Sequence, residues 1–200
     1  MPKMAAATRT DQRPTREEAE EAVRTLISWC GDDPNRDGLL ETPARVARAW
    51  EEFCRGYNEE PERHLSRTFE DEAGYDDIVL ERGISFESTC EHHMVPIVGV
   101  VHVAYLPSDR IVGLSKIVRL IDGFAKRLQV QEKLTRQIAD SIAKSLSTKG
   151  VAVVVEAEHE CMSMRGVRRR GVQTVTSCML GAFRDDASAR EEVMALIRGR

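Results

Sequence analysis

Apolar positions recur every three or four residues in several stretches of the chain, which predicts helices. The first predicted helix follows Thr15, whose spacing to Glu18 is that of a capping box, and it ends before Gly31. A second begins at Thr42-Pro43, a cap followed by proline at the first helical position. The remaining predicted helices cover about 114–127, 131–148 and 188–198.

Four other stretches are rich in valine, isoleucine and threonine, a composition typical of β-strands. They cover residues 78–86, 96–106, 151–158 and 171–183, and Gly83 marks an expected bulge in the first. Strands that follow each other in pairs with short links predict an antiparallel sheet with helices on one face, an α+β fold. A four-stranded sheet leaves edge strands that must be covered or paired, so we expect an oligomer.

The chain divides into three predicted parts. Residues 1–14 are polar, contain two prolines and are expected to be a disordered tail. Residues 15–77 are expected to form an N-terminal helical region, whose last part from residue 58 is acidic and is interpreted as an irregular surface connection. Residues 78–200 form the predicted main domain.

Composition narrows the class of protein. Two hundred residues with 42% hydrophobic side chains are enough for one ordinary domain with a real core. The formal charge of −4, from 29 basic and 33 acidic side chains, argues against a general nucleic-acid binder but leaves room for a local cationic pocket. No run of about 18 apolar residues occurs, so we expect no membrane span.

The five cysteines are odd in number and widely spaced, and the first dozen residues lack the apolar core of a signal peptide. These features favour reduced thiols and a cytoplasmic location. We expect Cys30, Cys54 and Cys178 to be small buried apolar side chains.

The other two cysteines lie beside histidines, in Cys90-Glu91-His92-His93 and His159-Glu160-Cys161. Zinc prefers thiolate and imidazole, and three protein ligands leave a fourth position for water. Cys90, one of the first two histidines and Cys161 could supply those three ligands, and the remaining histidines would then be free to transfer protons. A closed structural site with two cysteines and two histidines, or two unrelated thiols, are the alternatives. His64 and His102 have no partner motif and are interpreted as structural or solvated.

Two helix starts carry candidate ligand-binding groups. Lys116 and Arg119 share one face of the helix that begins after Gly113, where free N–H groups favour a phosphate chain. Arg165 and the run Arg168-Arg169-Arg170 add further positive charge near the second cysteine motif, although each arginine alone is typical of a solvated surface. At the next helix start, Gln131-Glu132 either complements the helix dipole or accepts two N–H groups from a guanine-like edge.

Four blocks, in this order, carry a resemblance to a known family. They are Ser88-Thr89-Cys90-Glu91-His92-His93, Gly113-Leu114-Ser115-Lys116, Gln129-Val130-Gln131-Glu132 and His159-Glu160-Cys161-Met162-Ser163-Met164-Arg165-Gly166. From about Glu41 to the C-terminus the chain resembles GTP cyclohydrolase I. The resemblance implies the tunnelling fold, an antiparallel sheet with two helices on one face. It also implies a homodecamer of two stacked pentamers with active sites between subunits.

The resemblance also implies a role for each matching residue. Cys90, His93 and Cys161 would bind Zn²⁺, while His92 and His159 would transfer protons. Ser115 would be a further catalytic residue on the triphosphate or ribose side of the substrate. The implied substrate-binding residues are Lys116, Arg119 and Arg165, Arg45 reaching a neighbouring subunit's site, and Gln131 with Glu132 at the guanine edge.

The implied reaction converts GTP and water to 7,8-dihydroneopterin triphosphate and formate, at the start of tetrahydrofolate and pterin synthesis. Water attacks C8 of the purine while a histidine protonates N7. A zinc-stabilised nucleotide-binding module without turnover is the alternative from another class. Related tunnelling-fold reductases and pterin synthases lack this arrangement of cysteine and histidine. Arg168-Arg169-Arg170 is more basic than the family pattern, and it bears on regulation rather than on the chemistry.

Overall fold

The computed structural model describes residues 13–70, 74–108 and 110–199. The predicted disordered tail therefore lies, up to residue 12, outside the described residues. The chain forms two compact units, with the first ending at Glu52 and the second beginning at Phe53. Across the described ranges, no helix combines the length and the apolar character needed to cross a membrane.

The N-terminal unit contains helix α1 (Arg16–Trp29) and nearly all of helix α2 (Thr42–Phe53). The predicted capping box is confirmed, since Thr15 and Glu18 each accept the backbone N–H of the other. No residue of α1 is buried, and Trp29 in its last turn is 82% exposed. Cys30 is exposed as well, so the prediction that it is buried was wrong, because the end of α1 lies open to solvent.

The second unit is built on a five-stranded sheet with the order β5-β2-β3-β6-β7. Its strands are β2 (Val79–Cys90), β3 (Pro96–Leu106), β5 (Leu128–Gln129), β6 (Gly150–His159) and β7 (Gln173–Gly181). The four long strands are antiparallel neighbours, and only the two-residue β5 is parallel to its neighbour β2. The predicted antiparallel sheet is therefore confirmed.

Two long helices cover one face of this sheet, α3 (Leu114–Ala125) and α4 (Gln131–Leu146). Alternate residues of β6, such as Val153 and Val155, join α3 and α4 in the larger core cluster. The intervening residues, such as Val154, pack in a second cluster with α6 (Ala182–Asp185) and α7 (Ala187–Arg198). The predicted α+β fold with two helices on one face is confirmed, and α7 lies on the opposite face.

Strand β2 is interrupted where the sequence predicts a bulge. The register with β3 shifts between Glu81 and Ile84, and Gly83 has a φ of +76°, a conformation that glycine adopts without strain. Beyond the bulge, β2 continues to Cys90, four residues further than predicted. This extension places Cys90 at the last position of a strand, where its backbone is held by the sheet.

The acidic segment after residue 58 is more ordered than predicted. One 3-10 helical turn, Arg55–Asn58, leads into this segment, and a second, Pro61–Ser66, lies within it. Leu65 of the second turn is fully buried in the larger core cluster. Strand β1 (Thr68–Glu70) then pairs with β4 (Arg110–Val112). The interpretation as a purely irregular surface connection was wrong, because this segment contributes to the core.

Candidate metal centre and active site

Strand β3 explains why two cysteines that are 71 positions apart in the sequence meet in space. It pairs with β2 on one side and β6 on the other, so that Pro96 opposes Thr89 while Ile97 opposes His159. The C-terminal ends of β2 and β6 therefore lie on either side of the first residues of β3. Cys90 is the last residue of β2, and Cys161 lies just beyond β6 in the single turn α5 (Glu160–Ser163).

The side chains of Cys90, His93 and Cys161 converge at this place. Their sulfur and ring-nitrogen ligand atoms all lie within 4.8 Å of one another, and Sγ of Cys90 is 3.9 Å from Nδ1 of His93. A tetrahedral zinc ion with bonds of about 2.0–2.3 Å separates its ligand atoms by roughly 3.5–3.8 Å. The donor set and spacing therefore fit a zinc ion after a small closing movement.

A tight turn between β2 and β3 sets the position of the two neighbouring histidines. The N–H of Cys90 donates to Val95 O at 2.9 Å, and the N–H of Met94 donates to Cys90 O at 2.8 Å. Met94 has a φ of +55°, which reverses the chain. His92 and His93 are both exposed, with their rings edge to face and 6.3 Å apart. His93 reaches the cysteines while His92 stays beside the cluster.

The three side chains of the cluster differ in their exposure to solvent. Cys90 is buried, Cys161 is partly buried and His93 is exposed, so the ligand set opens toward solvent on the histidine side. Burial is the main cause that raises the pKa of the Cys161 thiol, followed by the proximity of Cys90. The positive charge of the nearby Arg165 lowers the same pKa by a smaller amount.

His159, the last residue of β6, points its ring at the start of α4. Its Nε2 lies 2.7 Å from Oε1 of Gln131. Burial lowers the pKa of His159, and the carboxylate of Glu132 raises it by a smaller amount. The ring is therefore more readily neutral than a solvated histidine, while a nearby negative charge can still stabilise its protonated form.

The amide of Gln131 is enclosed by the sheet and by α4. Only 1% of Gln131 is exposed, and its Nε2 donates to Val155 O at 3.0 Å and to Thr174 O at 2.9 Å. Oγ1 of Thr176 lies 3.2 Å from the same nitrogen and 2.6 Å from Oγ1 of Thr135. The hydroxyl of Thr135 in turn donates to Gln131 O at 2.7 Å. Gln131 thus links His159 to a buried polar network.

The predicted phosphate-binding residues lie in the first half of α3, away from the end of the helix that adjoins Ser88. The other end of this helix is near the cluster, because Ser88 Oγ, two residues before Cys90, donates to Ala125 O at 2.6 Å. Ser115 lies ten positions earlier on α3, which corresponds to roughly 15 Å along the helix axis. Ser115 and Arg119 are exposed and Lys116 is partly exposed. The first turn of α3 therefore lies at the opposite end of the helix from the contact with Ser88.

The remaining predicted residues are on the surface. Arg45 lies on α2 in the N-terminal unit, is exposed, and forms an ion pair with Glu41 at 3.0 Å. Glu132 is exposed at the start of α4. The run Arg168–Arg170 is exposed in the loop before β7, where Arg168 has a φ of +49°.

The sequence did not point to the residues that support Gln131. Thr135 follows Gln131 by one helical turn, and Thr174 and Thr176 alternate along β7. Two threonines on the covered face of a strand, opposite a polar pair spaced i and i+4 on a helix, are the signal that could have indicated a buried network. Lys133 and Glu91, which form an ion pair at 3.6 Å between α4 and the turn after β2, were missed as well.

The chain is similar to known proteins over nearly its whole length. A family model described as GTP cyclohydrolase I matches residues 19–198. GTP cyclohydrolase 1 of Brucella suis (strain ATCC 23445 / NCTC 10510) is 57% identical to this chain over 194 residues, which are 97% of this chain and 91% of that protein. GTP cyclohydrolase 1 of Brucella canis (strain ATCC 23365 / NCTC 10854 / RM-666) is 56% identical with the same coverage.

Two solved structures show a slight likeness. The apo form of an archaeosine synthase QueF-Like has a TM-score of 0.43 and 16% identity, covering 52% of this chain and 92% of that one. A dihydroneopterin aldolase from Burkholderia thailendensis, bound to guanine, has a TM-score of 0.36 and 12% identity, covering 52% and 90%.

Proposed function

Because the chain belongs to the GTP cyclohydrolase I family and is a hydrolase, we propose that it converts GTP and water to 7,8-dihydroneopterin triphosphate and formate. This reaction would be the first step of tetrahydrofolate and pterin biosynthesis, and we expect it in the cytoplasm. The observation that carries the proposal is the convergence of Cys90, His93 and Cys161. Two further histidines lie beside that cluster.

The cluster is proposed to hold Zn²⁺ through the two sulfurs and the imidazole. Their spacing within 4.8 Å supports this assignment, as does the preference of zinc for soft sulfur and imidazole donors. Three protein ligands leave one coordination position open, as in catalytic rather than structural sites. A zinc ion held by Cys90, His93 and Cys161 would supply Lewis acidity for the activation of water.

The proton transfers are proposed to belong to His92 and His159. His92 is exposed next to the ligand His93, and His159 is half-buried two residues before the ligand Cys161. Opening of the purine imidazole ring requires that a proton be added at N7 and that a proton be removed at another step. Imidazole suits both roles because it titrates near the working pH. The different environments of the two histidines, one solvated and one enclosed, suit different steps of this sequence.

The substrate is proposed to bind between subunits. Glu132 accepts hydrogen bonds from the guanine edge, and Arg165 contacts the triphosphate or ribose beside Cys161. Ser115, Lys116 and Arg119 come from α3 of another copy, since α3 of the same chain begins roughly 15 Å from the end that adjoins Ser88. Arg45 of a neighbouring subunit adds a further phosphate contact. An assembly of ten chains, two stacked pentamers, would supply these contacts.

The proposal is tested by turnover together with metal analysis. Purified protein is loaded with zinc, incubated with GTP and assayed for formate and for pterin fluorescence after oxidation. We expect formate and pterin in equal amounts and about one zinc ion per chain. Protein that binds both zinc and GTP but releases no formate would instead be a nucleotide-binding module, and the proposed function would be wrong.

A further inference from the structure

The hydrogen bonds around Gln131 point to a role that differs from contact with the guanine edge. Gln131 is buried at the start of α4, and its side chain lies between His159 on one side and the carbonyls of β6 and β7 on the other. Building on the proposed function, we propose that Gln131 is a positioning residue that fixes which ring nitrogen of His159 carries the proton.

The orientation of the Gln131 amide is determined by its partners. Val155 O and Thr174 O are backbone carbonyl oxygens, which can only accept hydrogen bonds. The amide nitrogen must therefore face them, and Oε1 must face away from them, toward His159. An amide oxygen can only accept as well, so the ring nitrogen 2.7 Å away must donate. His159 is held with its proton on Nε2.

This arrangement leaves Nδ1 as the working atom of His159. In the neutral ring the lone pair is on Nδ1, and in the charged ring the transferable proton is on Nδ1, while Nε2–H stays bonded to Gln131. A ring held by one buried acceptor is also fixed in orientation, as histidines at metal sites are fixed by the groups behind them. Gln131 thus fixes the tautomer and the orientation of the His159 ring, as a carboxylate does for the catalytic histidine in many enzymes.

The same contacts leave the Gln131 side chain without a hydrogen for substrate. Its NH₂ group has two hydrogens, and three acceptors of the chain lie within 3.2 Å of the nitrogen: Val155 O, Thr174 O and Thr176 Oγ1. Opening this network to reach a nucleobase would leave the buried carbonyls of Val155 and Thr174 unpaired, which is unfavourable. Recognition of the guanine edge is therefore assigned to Glu132 without the side chain of Gln131.

The test compares Gln131→Leu with Gln137→Leu, the same substitution six residues further along α4. Gln137 is partly buried, and its Oε1 accepts from Gln129 Nε2 at 3.0 Å. Ring-nitrogen NMR spectra are recorded on zinc-loaded protein labelled with ¹⁵N-histidine, and His159 is assigned from the spectrum of His159→Gln. The protein has five histidines, so the spectra are simple.

We expect the neutral Nε2–H form of His159 in the wild type and in Gln137→Leu, and a mixture of both tautomers in Gln131→Leu. A wild-type ring protonated on Nδ1 would overturn the inference, even if Gln131→Leu does not fold. So would an unchanged Nε2–H form in Gln131→Leu. These spectra need no turnover, so the inference can fail while the proposed function stands, and the reverse.

Kinetics with two substrates separate positioning from base recognition. Inosine triphosphate lacks the 2-amino group of GTP. If Gln131 positions His159, Gln131→Leu lowers kcat by about 10–100-fold on both nucleotides, and the ratio of their kcat/KM values stays that of the wild type. If Gln131 reads the guanine edge, the variant loses its preference for GTP and KM for GTP rises, which would overturn the inference.

Discussion

The end of β2 and the start of α3 differ in how much of their surroundings one chain supplies. At the end of β2, Cys90 meets His93 and Cys161 within 4.8 Å, and the pairing of β2, β3 and β6 brings them together. At the start of α3, Ser115 is exposed and lies at the far end of a helix whose other end adjoins Ser88, while the exposed Arg119 lies near the middle of that helix.

This difference bears on which part of the proposed site depends on folding of one chain and which part depends on the proposed assembly. Within one chain, strand pairing brings the ligand cluster together, and the packing of α4 on the sheet places Gln131 against His159. The first turn of α3 carries the exposed Ser115 and the partly exposed Lys116, and backbone N–H groups at a helix start favour an anion. We therefore propose that metal binding and proton transfer depend on the fold of a single chain, and that phosphate binding depends on the assembly.

Replacement of Cys161 by serine has the largest expected effect, because it removes one of three ligands from the cluster. We expect bound zinc and formate release both to fall to background, while the sheet remains folded. Metal content per chain and GTP turnover measure this. Cys30→Ser, a substitution at an exposed cysteine, is the control and should change neither. Full zinc occupancy with normal turnover in Cys161→Ser would remove Cys161 from the site.

Replacement of His92 by alanine separates proton transfer from metal binding. His92 lies beside the cluster but outside the ligand set, so zinc should stay bound while turnover falls by about 10²–10⁴-fold. His64→Ala is the control. His64 lies in the 3-10 turn Pro61–Ser66, where it faces Glu59, and it is not part of the ligand cluster. Normal turnover would refute the role of His92, and loss of zinc would make it a ligand instead.

Replacement of Lys116 by methionine probes the other region. We expect unchanged zinc content and a fall in kcat/KM for GTP of roughly 10–100-fold, the size expected for losing one hydrogen bond to a charged phosphate. Lys144→Met, at an exposed lysine in the last turn of α4, is the control. Loss of zinc in Lys116→Met would show that the two regions are not separate.

A smaller effect is expected at the bulge, at the opposite end of the strand that carries Cys90. Burial raises the pKa of Glu81 to about 7, and within the described part of the chain its Oε1 has no hydrogen-bond partner. A carboxyl whose pKa is raised on folding destabilises the protein as pH rises from the unfolded pKa, about 4.3, through the folded pKa.

Glu81→Gln should therefore stabilise the protein above pH 7 and have little effect at pH 4. Since Glu81 is only partly buried, the expected gain is on the order of 1 kcal/mol. Thermal unfolding at pH 4, 6 and 8 measures it, and zinc content should be unchanged. Equal midpoints for wild type and variant at pH 8 would contradict the assigned burial.

The sequence predicted the regular elements well where one pattern dominated. Strand β3 has the predicted bounds, and α4 is stabilised by the apolar positions that predicted it. The burial of Leu65 was missed, because a 3-10 turn among charged residues has no periodicity of its own. Strand β5 was missed as well, since two residues carry no pattern.

For the site, the motifs predicted the three residues that converge but not how the chain supports them. The enclosure of Gln131 depends on carbonyls of β6 and β7 that come together only through strand order. The distance between the start of α3 and the cluster is likewise set by the direction in which the helix packs on the sheet. Neither follows from residue types or spacing.

Subunit mixing tests the central claim most directly. Cys161→Ser and Lys116→Met chains with different tags are co-expressed, and mixed assemblies are purified with both tags. If cluster and α3 come from different chains, random mixing makes about a quarter of the sites intact, because each intact part is present with a chance of one half. We predict that mixed assemblies recover about that fraction of wild-type turnover. Mixed assemblies no more active than the two separate variants would contradict a site shared between chains.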